Sequence, residues 1–374
     1  MRDYQEFLWL FTGFVVFLQN FDGNKTGITM KRFYLSFVGC LFLCLSAMAQ
    51  YQPDILGDSY QCRTIQLAND YEGEVVTTLV RKPLLPETNR ALLYVHGYND
   101  YFFQQELGDS LNAHGYNFYA LDLRKYGRSL RPHQDAFFCK DLNEYFADLD
   151  TVLTIIRQEG NREILLMGHS TGGLITSYYL YHRKTLPGIQ GLILNSPFLD
   201  WNAGEGWMEN YAFPLVALIG RCFPNWTVQE AGQQFSPYAA SLLRSHRGEW
   251  VFNEAWKRPY GHPIRAGWIH AIHSAQQTLQ EGAGLTCPIL LLSSDHSVME
   301  EQEWDDRYLA GDLVLDVNDI QKYGRKLGDR VTAATIPDGL HDLILSTWTA
   351  RQETYRVIFE WLAQMEPVQK STGK

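Results

Sequence analysis

Lysine and arginine never form a block in this sequence, no segment repeats at a fixed period, and cysteine is scarce. The missing basic block excludes most nucleic-acid partners, because phosphate backbones are gripped by grouped cations. The balance of 32 basic against 42 acidic residues, a net charge of −10, points the same way. Without a repeat there is no solenoid or propeller. Six cysteines spread over 374 residues cannot build a disulfide scaffold. Apolar runs of about 18 residues or more do not recur, which rules out a multi-span membrane protein. What is present is a globular composition, 45% hydrophobic and 14% aromatic.

The first fifty residues stand apart. Phe7 to Leu18 is too short to cross a bilayer. Met30-Lys31-Arg32 precedes an apolar run over 33–45 and then Ser46-Ala47-Met48-Ala49. A basic start, an apolar middle and a small-x-small end make a secretory signal. The expectation is a signal over 30–49 cut after Ala49, with 1–29 an extension ahead of the true start. The protein is then exported, periplasmic or secreted, and the alternative is a membrane anchor made from these apolar segments. The mature chain keeps Cys62, Cys139, Cys222 and Cys287, whose pairing the sequence does not decide.

From Gln50 onward strand and helix signals alternate. Strands are expected at Cys62–Leu67, Val75–Val80, Ala91–Val95, Phe118–Leu123, Ile164–Met167 and Gly191–Leu194. Helices are expected at Phe103–Ala113, Leu142–Gln158 and Leu174–Tyr181. That rhythm favours a mainly parallel sheet flanked by helices. It breaks near Trp201 and resumes at Pro288–Leu292, Val331–Ile336 and a closing helix at Thr354–Ala363. The division is therefore a first core part over 50–200, an inserted, largely helical cap over 201–286, and a second core part over 287–374. Six of the ten tryptophans fall in the insertion: Trp201, Trp207, Trp226, Trp250, Trp256 and Trp268.

One constellation carries chemistry. Strand Ile164–Met167 runs into Gly168-His169-Ser170-Thr171-Gly172-Gly173 and then a helix. This is G-x-S-x-G between a strand and a helix, the context in which the motif presents a nucleophile at a strained turn. A serine hydroxyl needs a base, and the base needs an acid to orient it. In chain order after Ser170 come Asp295, just past Ile289–Leu292, and His341, just past Val331–Ile336, both at strand C-termini. His341 is expected as general base and Asp295 as its acid, with Asp200 the main rival and Asp338 and Glu300 weaker ones. The oxyanion donors are expected to be the backbone N–H groups of Thr171 and of Tyr98, which follows His96-Gly97. His270 and His273 share a helix face, but two ligands without a third do not make a metal site.

Val95-His96-Gly97-Tyr98, the run 120–129 (Ala120-Leu121-Asp122-Leu123-Arg124-Lys125-Tyr126-Gly127-Arg128-Ser129) and Gly168–Gly173 resemble the α/β-hydrolase superfamily. Leu291-Leu292-Ser293-Ser294-Asp295 and Gly339-Leu340-His341-Asp342 match its acid and histidine segments. Within it the chain looks most like the monoacylglycerol lipase and lysophospholipase branch, which is grouped with serine aminopeptidase-like hydrolases. Two departures are visible: the acid segment lacks the glycine usual before the aspartate, and 201–286 matches no assigned cap. The resemblance implies an α/β-hydrolase fold, acyl transfer to Ser170, an acyl-enzyme, and neither cofactor nor metal. A serine in the elbow argues against haloalkane dehalogenase and epoxide hydrolase chemistry. The expected substrate is a short- or medium-chain ester, or a monoacylglycerol- or lysophospholipid-like lipid. The alternatives are an amide or peptide hydrolase, an acyltransferase, or a binding protein that has kept the fold without catalysis. No nucleic acid and no stable membrane span in the mature chain are expected; oligomeric state and substrate-binding residues are not legible.

Overall fold

The computed structural model describes residues 50–365 other than 185, 203–211 and 302. The signal and extension expected before residue 50, and Trp207, lie outside the described residues. Contacts set 1–50 apart from the compact unit Tyr51–Lys374, to which the following refers.

The strands are β1 (Gln52–Asp54), β2 (Gly57–Gln66), β3 (Val76–Arg81), β4 (Arg90–Val95), β5 (Asn117–Asp122), β6 (Glu163–His169), β7 (Ile189–Asn195), β8 (Thr227–Gln229), β9 (Ile264–Arg265), β10 (Ile289–Ser294) and β11 (Val331–Ile336). The helices are α1 (Gln105–Ala113), α2 (Phe146–Gln158), α3 (Thr171–His182), α4 (Phe213–Cys222), α5 (Pro237–Leu242), α6 (Ala266–Gln280), α7 (Val317–Gly324) and α8 (Trp348–Met365). Nine strands form one sheet in the order β1-β2-β3-β5-β4-β6-β7-β10-β11. From β5 to β11 all neighbours are parallel, whereas β1, β2 and β3 join antiparallel at one edge. This is the α/β-hydrolase architecture.

The central strands read as unbroken apolar runs because both faces are buried. In β4, Ala91, Leu93 and Val95 enter one hydrophobic layer, while Leu92 and Tyr94 enter the opposite one. Ile164 and Leu166 of β6 join the first layer, Leu165 and Met167 the second. Helices α2, α3 and α6 bury their apolar residues in the first layer; α1 and α8 cover the second. The α2 entrance is fixed by a capping box, Asp141 with Glu144, which opens with a 3-10 turn over Leu142–Tyr145.

Between β7 and β10, which pair directly in the sheet, the chain leaves the strand–helix alternation. That insertion holds α4, α5, α6 and a two-stranded antiparallel pair, β8 with β9. Trp268, Ile269, Ile272, Ala275 and Leu279 on α6 pack into the same layer as α2 and α3, so the insertion grows out of the main core.

Candidate active site

The site forms at the C-terminal ends of the parallel strands, where open α/β sheets leave room for one. Ser170 lies between β6 and α3 with φ 51° and ψ −119°, a conformation a side chain tolerates only under constraint. The constraint is visible. The Ser170 N–H donates to the Asn195 carbonyl at 3.0 Å, and its own carbonyl accepts from Phe198, Gly173 and Leu174. The flanking glycines are steric necessities. A Cβ on Gly168 would lie 2.5 Å from the Gly172 carbonyl oxygen, and one on Gly172 would lie 2.3 Å from that of Val95.

His341 Nε2 lies 2.9 Å from Ser170 Oγ, and His341 Nδ1 lies 2.9 Å from Oδ2 of Asp312. All three side chains are buried. Asp312 Oδ1 is held separately by the backbone N–H groups of Val314 and Leu315, each at 2.8 Å. These bonds leave Oδ2 alone to face the imidazole.

The expected acid, Asp295, is not there; this corrects the sequence reading. Asp295 directly follows β10 as expected, but its half-exposed carboxylate pairs with His296 Nδ1 at 2.7 Å and accepts the Asp338 N–H at 3.1 Å. Asp200 accepts its neighbour's N–H, from Trp201. Asp338 and Glu300 are exposed. Asp312 arrives instead from the long connection between β10 and α7. Bonds from Asp312 N–H to the His296 carbonyl and from Val298 N–H to the Asp312 carbonyl pin it beside the end of β10. Gly311 lies flush on this segment, since a Cβ there would come within 2.4 Å of Val298 Cγ2. A glycine immediately before an aspartate was the signal available in the sequence.

Tyr98 follows Gly97 just beyond the end of β4, and Thr171 opens α3 directly after Ser170, the two positions expected of oxyanion donors. Among the described residues no protein acceptor takes either backbone N–H. Gly97 allows the close approach: a Cβ there would meet Ser170 Cβ at 3.1 Å. His96 braces the loop. It accepts the Leu123 N–H at Nε2, so Nδ1 carries the proton and donates to the Gly97 carbonyl. The 120–129 run braces it again. Asp122 accepts from Phe102 N–H and from Arg128, whose guanidinium also binds the Phe102 carbonyl and Asp54.

Beside Ser170, His341 and Asp312 lies a second buried polar cluster that the sequence did not announce. His169 donates from Nδ1 to the Asn195 carbonyl and turns Nε2 toward Asp342, 3.9 Å away. Its pKa is lowered, because burial outweighs the attraction of Asp342, so the ring stays neutral to pH values below the ordinary histidine range. Asp342 accepts from Asn195 Nδ2 at 2.7 Å and from the Ile344 N–H. Asp100 pairs with Lys257 at 2.9 Å. Asp100, His169 and Asp342 could offer ligand atoms to one metal ion, all within 4.8 Å of one another. Lys257 already supplies a positive charge at that point. His270 and His273 gain no third ligand among the described residues.

A depression of about 640 Å³ lies elsewhere, lined by Ile189, Cys287, Val331 and Trp361 at the opposite, N-terminal ends of β7, β10 and β11. It is remote from Ser170 and plays no part in this chemistry.

Residues 86–345 match the family described as serine aminopeptidase, S33. The chain belongs to that family. It is therefore a hydrolase of the α/β type. A search of curated protein sequences finds no match. Solved structures share the fold at low identity. The monoacylglycerol lipase of Paleococcus ferrophilus is 18% identical with a TM-score of 0.53, over 82% of this chain and 99% of its own. A soluble variant of the Saccharomyces cerevisiae monoglyceride lipase, in complex with a substrate analogue, is 16% identical with a TM-score of 0.59, over 81% and 96%. A thermophilic esterase from Thermogutta terrifontis is 16% identical with a TM-score of 0.51, over 82% and 100%. No helix among the described residues is long and apolar enough to cross a membrane.

Proposed function

We propose that the protein hydrolyses carboxylic esters through an acyl-enzyme on Ser170. The observation that carries this is the unbroken chain Ser170 Oγ, His341 Nε2, His341 Nδ1, Asp312 Oδ2 with both links at 2.9 Å. Nδ1 donates to a carboxylate that can only accept, so Nε2 holds the lone pair facing the serine. As Oγ attacks the ester carbonyl, its proton passes to Nε2, and Asp312 stabilises the imidazolium. The oxyanion forms between the Tyr98 and Thr171 N–H groups. His341 then returns the proton to the leaving alcohol, the acyl-enzyme forms, and a water activated by the same nitrogen releases the acid.

An apolar acyl group is favoured by the wall beside the oxyanion loop. Tyr98 packs on Phe137 and Trp268, and Trp268 on Trp201. Short- to medium-chain esters and monoacylglycerol- or lysophospholipid-like lipids fit that chemistry. The family's description favours a second reading, cleavage of an aminoacyl bond. A free amino terminus needs a carboxylate oxygen to receive it: near Ser170, Asp342 is engaged by Asn195 and Asp312 by His341, while Asp100 gives Oδ1 to Lys257 and keeps a buried Oδ2 without a hydrogen-bond partner among the described residues.

The test compares purified 50–374 with its Ser170→Ala variant on p-nitrophenyl esters from C2 to C16 and on aminoacyl p-nitroanilides. Ester turnover that disappears in the variant is the expected result. Anilide turnover with little ester turnover would move the assignment to aminopeptidase. Absence of ester turnover together with no labelling of Ser170 by a fluorophosphonate would sink both.

A further inference from the structure

Three consecutive residues of the loop that follows Tyr98 are each taken by the insertion. The Asn99 side chain makes a two-bond clasp with the backbone of Arg258: Nδ2 donates to the Arg258 carbonyl at 2.8 Å, and Oδ1 accepts the Arg258 N–H at 2.9 Å. Asn99 holds φ 49°, a left-handed conformation that aims the side chain this way. Asp100 forms its ion pair with Lys257, both side chains buried. Tyr101 OH accepts the Asn253 N–H at 2.7 Å, and its ring meets Trp256 edge-on at 5.1 Å.

The same part of the insertion also reaches the histidine loop. Tyr238 OH accepts the Asp342 N–H at 3.3 Å, and its ring lies 5.8 Å from that of His341. Trp250 Nε1 donates to the Leu345 carbonyl at 2.8 Å. Tyr101, Phe103, Leu242, Leu243, Phe252, Leu340 and Leu345 form one small hydrophobic cluster that joins the two loops through the insertion. A roof over a substrate needs none of these bonds to the oxyanion loop.

We propose that segment 253–258 of the insertion is the positioning element of the oxyanion hole, with Lys257 its principal positioning residue, so that the Tyr98 N–H is correctly aimed only while the insertion is docked. This rests on the ester-hydrolase reading above and deepens it. The Lys257 ammonium is the insertion's half of a buried ion pair, and such pairs fix geometry more reliably than they add stability. Tyr98 lies between this clasp and Gly97, which abuts Ser170, so a shift of Asn99–Tyr101 must be passed to the Tyr98 N–H. A displacement of about 1 Å at a reacting group costs on the order of 100-fold in rate. Loosening segment 253–258 then also loosens the hole.

The experiment uses the 50–374 protein with Lys257→Met, Asn99→Ala and the charge-neutral pair Asp100→Asn/Lys257→Met. The pair serves if Lys257→Met alone leaves Asp100 too poorly compensated to fold. Three quantities are read: kcat and KM on p-nitrophenyl butyrate, the rate of fluorophosphonate labelling of Ser170, and amide hydrogen exchange in 97–103. We expect kcat and the labelling rate to fall together by roughly 10- to 100-fold. KM should stay within about threefold, with faster exchange confined to 97–103 and the 250–258 segment. Unchanged kcat with unchanged exchange overturns the proposal, as does a loss carried entirely by KM. A wild-type protein inert to both ester and fluorophosphonate would instead overturn the hydrolase reading, a separate result because the exchange measurement needs no turnover.

Discussion

Replacing Asp312 by asparagine tests the triad at its least expected member. The two backbone N–H groups of Val314 and Leu315 both point at Oδ1, and a side-chain amide can satisfy them only with its oxygen. Asp312→Asn therefore presents its NH2 to His341 Nδ1, 2.9 Å away in the native pair. Nδ1 must become the acceptor, the ring proton moves to Nε2, and Nε2 then faces Ser170 Oγ as a donor. The serine keeps its proton. Loss of the correct tautomer in a triad of this geometry costs roughly 10⁴-fold in kcat, which is about 5.4 kcal/mol of transition-state stabilisation. The fold should be little changed, because the amide is isosteric and keeps both backbone donors satisfied. Asp295→Asn, at a half-exposed carboxylate with no line to His341, should stay within about threefold of the native kcat. The assay is kcat on p-nitrophenyl butyrate, normalised to intact protein by thermal unfolding. If Asp295→Asn lost activity by thousands while Asp312→Asn stayed within tenfold, the assignment of the acid would be refuted.

Gly172→Ala places a methyl 2.3 Å from the Val95 carbonyl oxygen and 2.4 Å from that of His96, both backbone atoms at the root of the oxyanion loop. It should cost about 1–3 kcal/mol in urea unfolding and slow Ser170 labelling; an unshifted midpoint would contradict the packing argument. Stability should also depend on pH through histidines that the fold keeps neutral. His262 is pushed down to about 4, by burial first and then by the charge of Arg258, and burial lowers His169 and His273 too. The unfolded chain takes up these protons near pH 6.5, so their contribution is fully present above about 6.5 and is lost as pH falls toward 4. Urea midpoints measured from pH 7 to 4.5 should decline, and His262→Gln should flatten the decline; an identical slope in the variant would remove His262 from the account.

Much of the fold was legible because burial on both faces leaves an unmistakable trace. β4, β6 and β10 read as short apolar runs for that reason, and Val331–Ile336, a less buried strand at the sheet edge, was nonetheless located to the residue. Elements without such a trace were missed. β1 is three residues long at the sheet edge, and α7 is a short helix whose start is set by the Asp316 cap rather than by periodicity. α3 begins at Thr171, earlier than the expected Leu174, because Gly172 and Gly173 read locally as loop. Those glycines sit in the helix for packing reasons: one abuts β4 and the other Pro197. Ser170 and His341 were picked from motif context, and their side chains meet at 2.9 Å; Tyr98 and Thr171 stand as the proposed oxyanion donors. The clasp between Asn99–Tyr101 and 253–258 had no sequence signal, since every bond in it joins segments far apart in the chain.

The misplacement of the acid has a more specific cause. A triad acid is defined by its distance from an imidazole nitrogen, and the sequence offers only its distance from a strand end. In this chain the two are uncoupled. After Asp295 the backbone leaves the sheet and returns, so that Ser297 and Asp312 bridge each other in parallel register. Because that bridge is made at the end of β10, residue 312 stands in space almost where a residue directly following the strand would. The excursion between them carries its own surface ion pairs, Arg307 with Glu301 and Asp305, and Tyr308 buried beneath it. An added loop of this kind is tolerated because loop-closure cost grows only slowly with length. What this geometry requires of the acid is the pair of backbone donors on Oδ1 that leaves Oδ2 facing His341, wherever in the chain the aspartate stands.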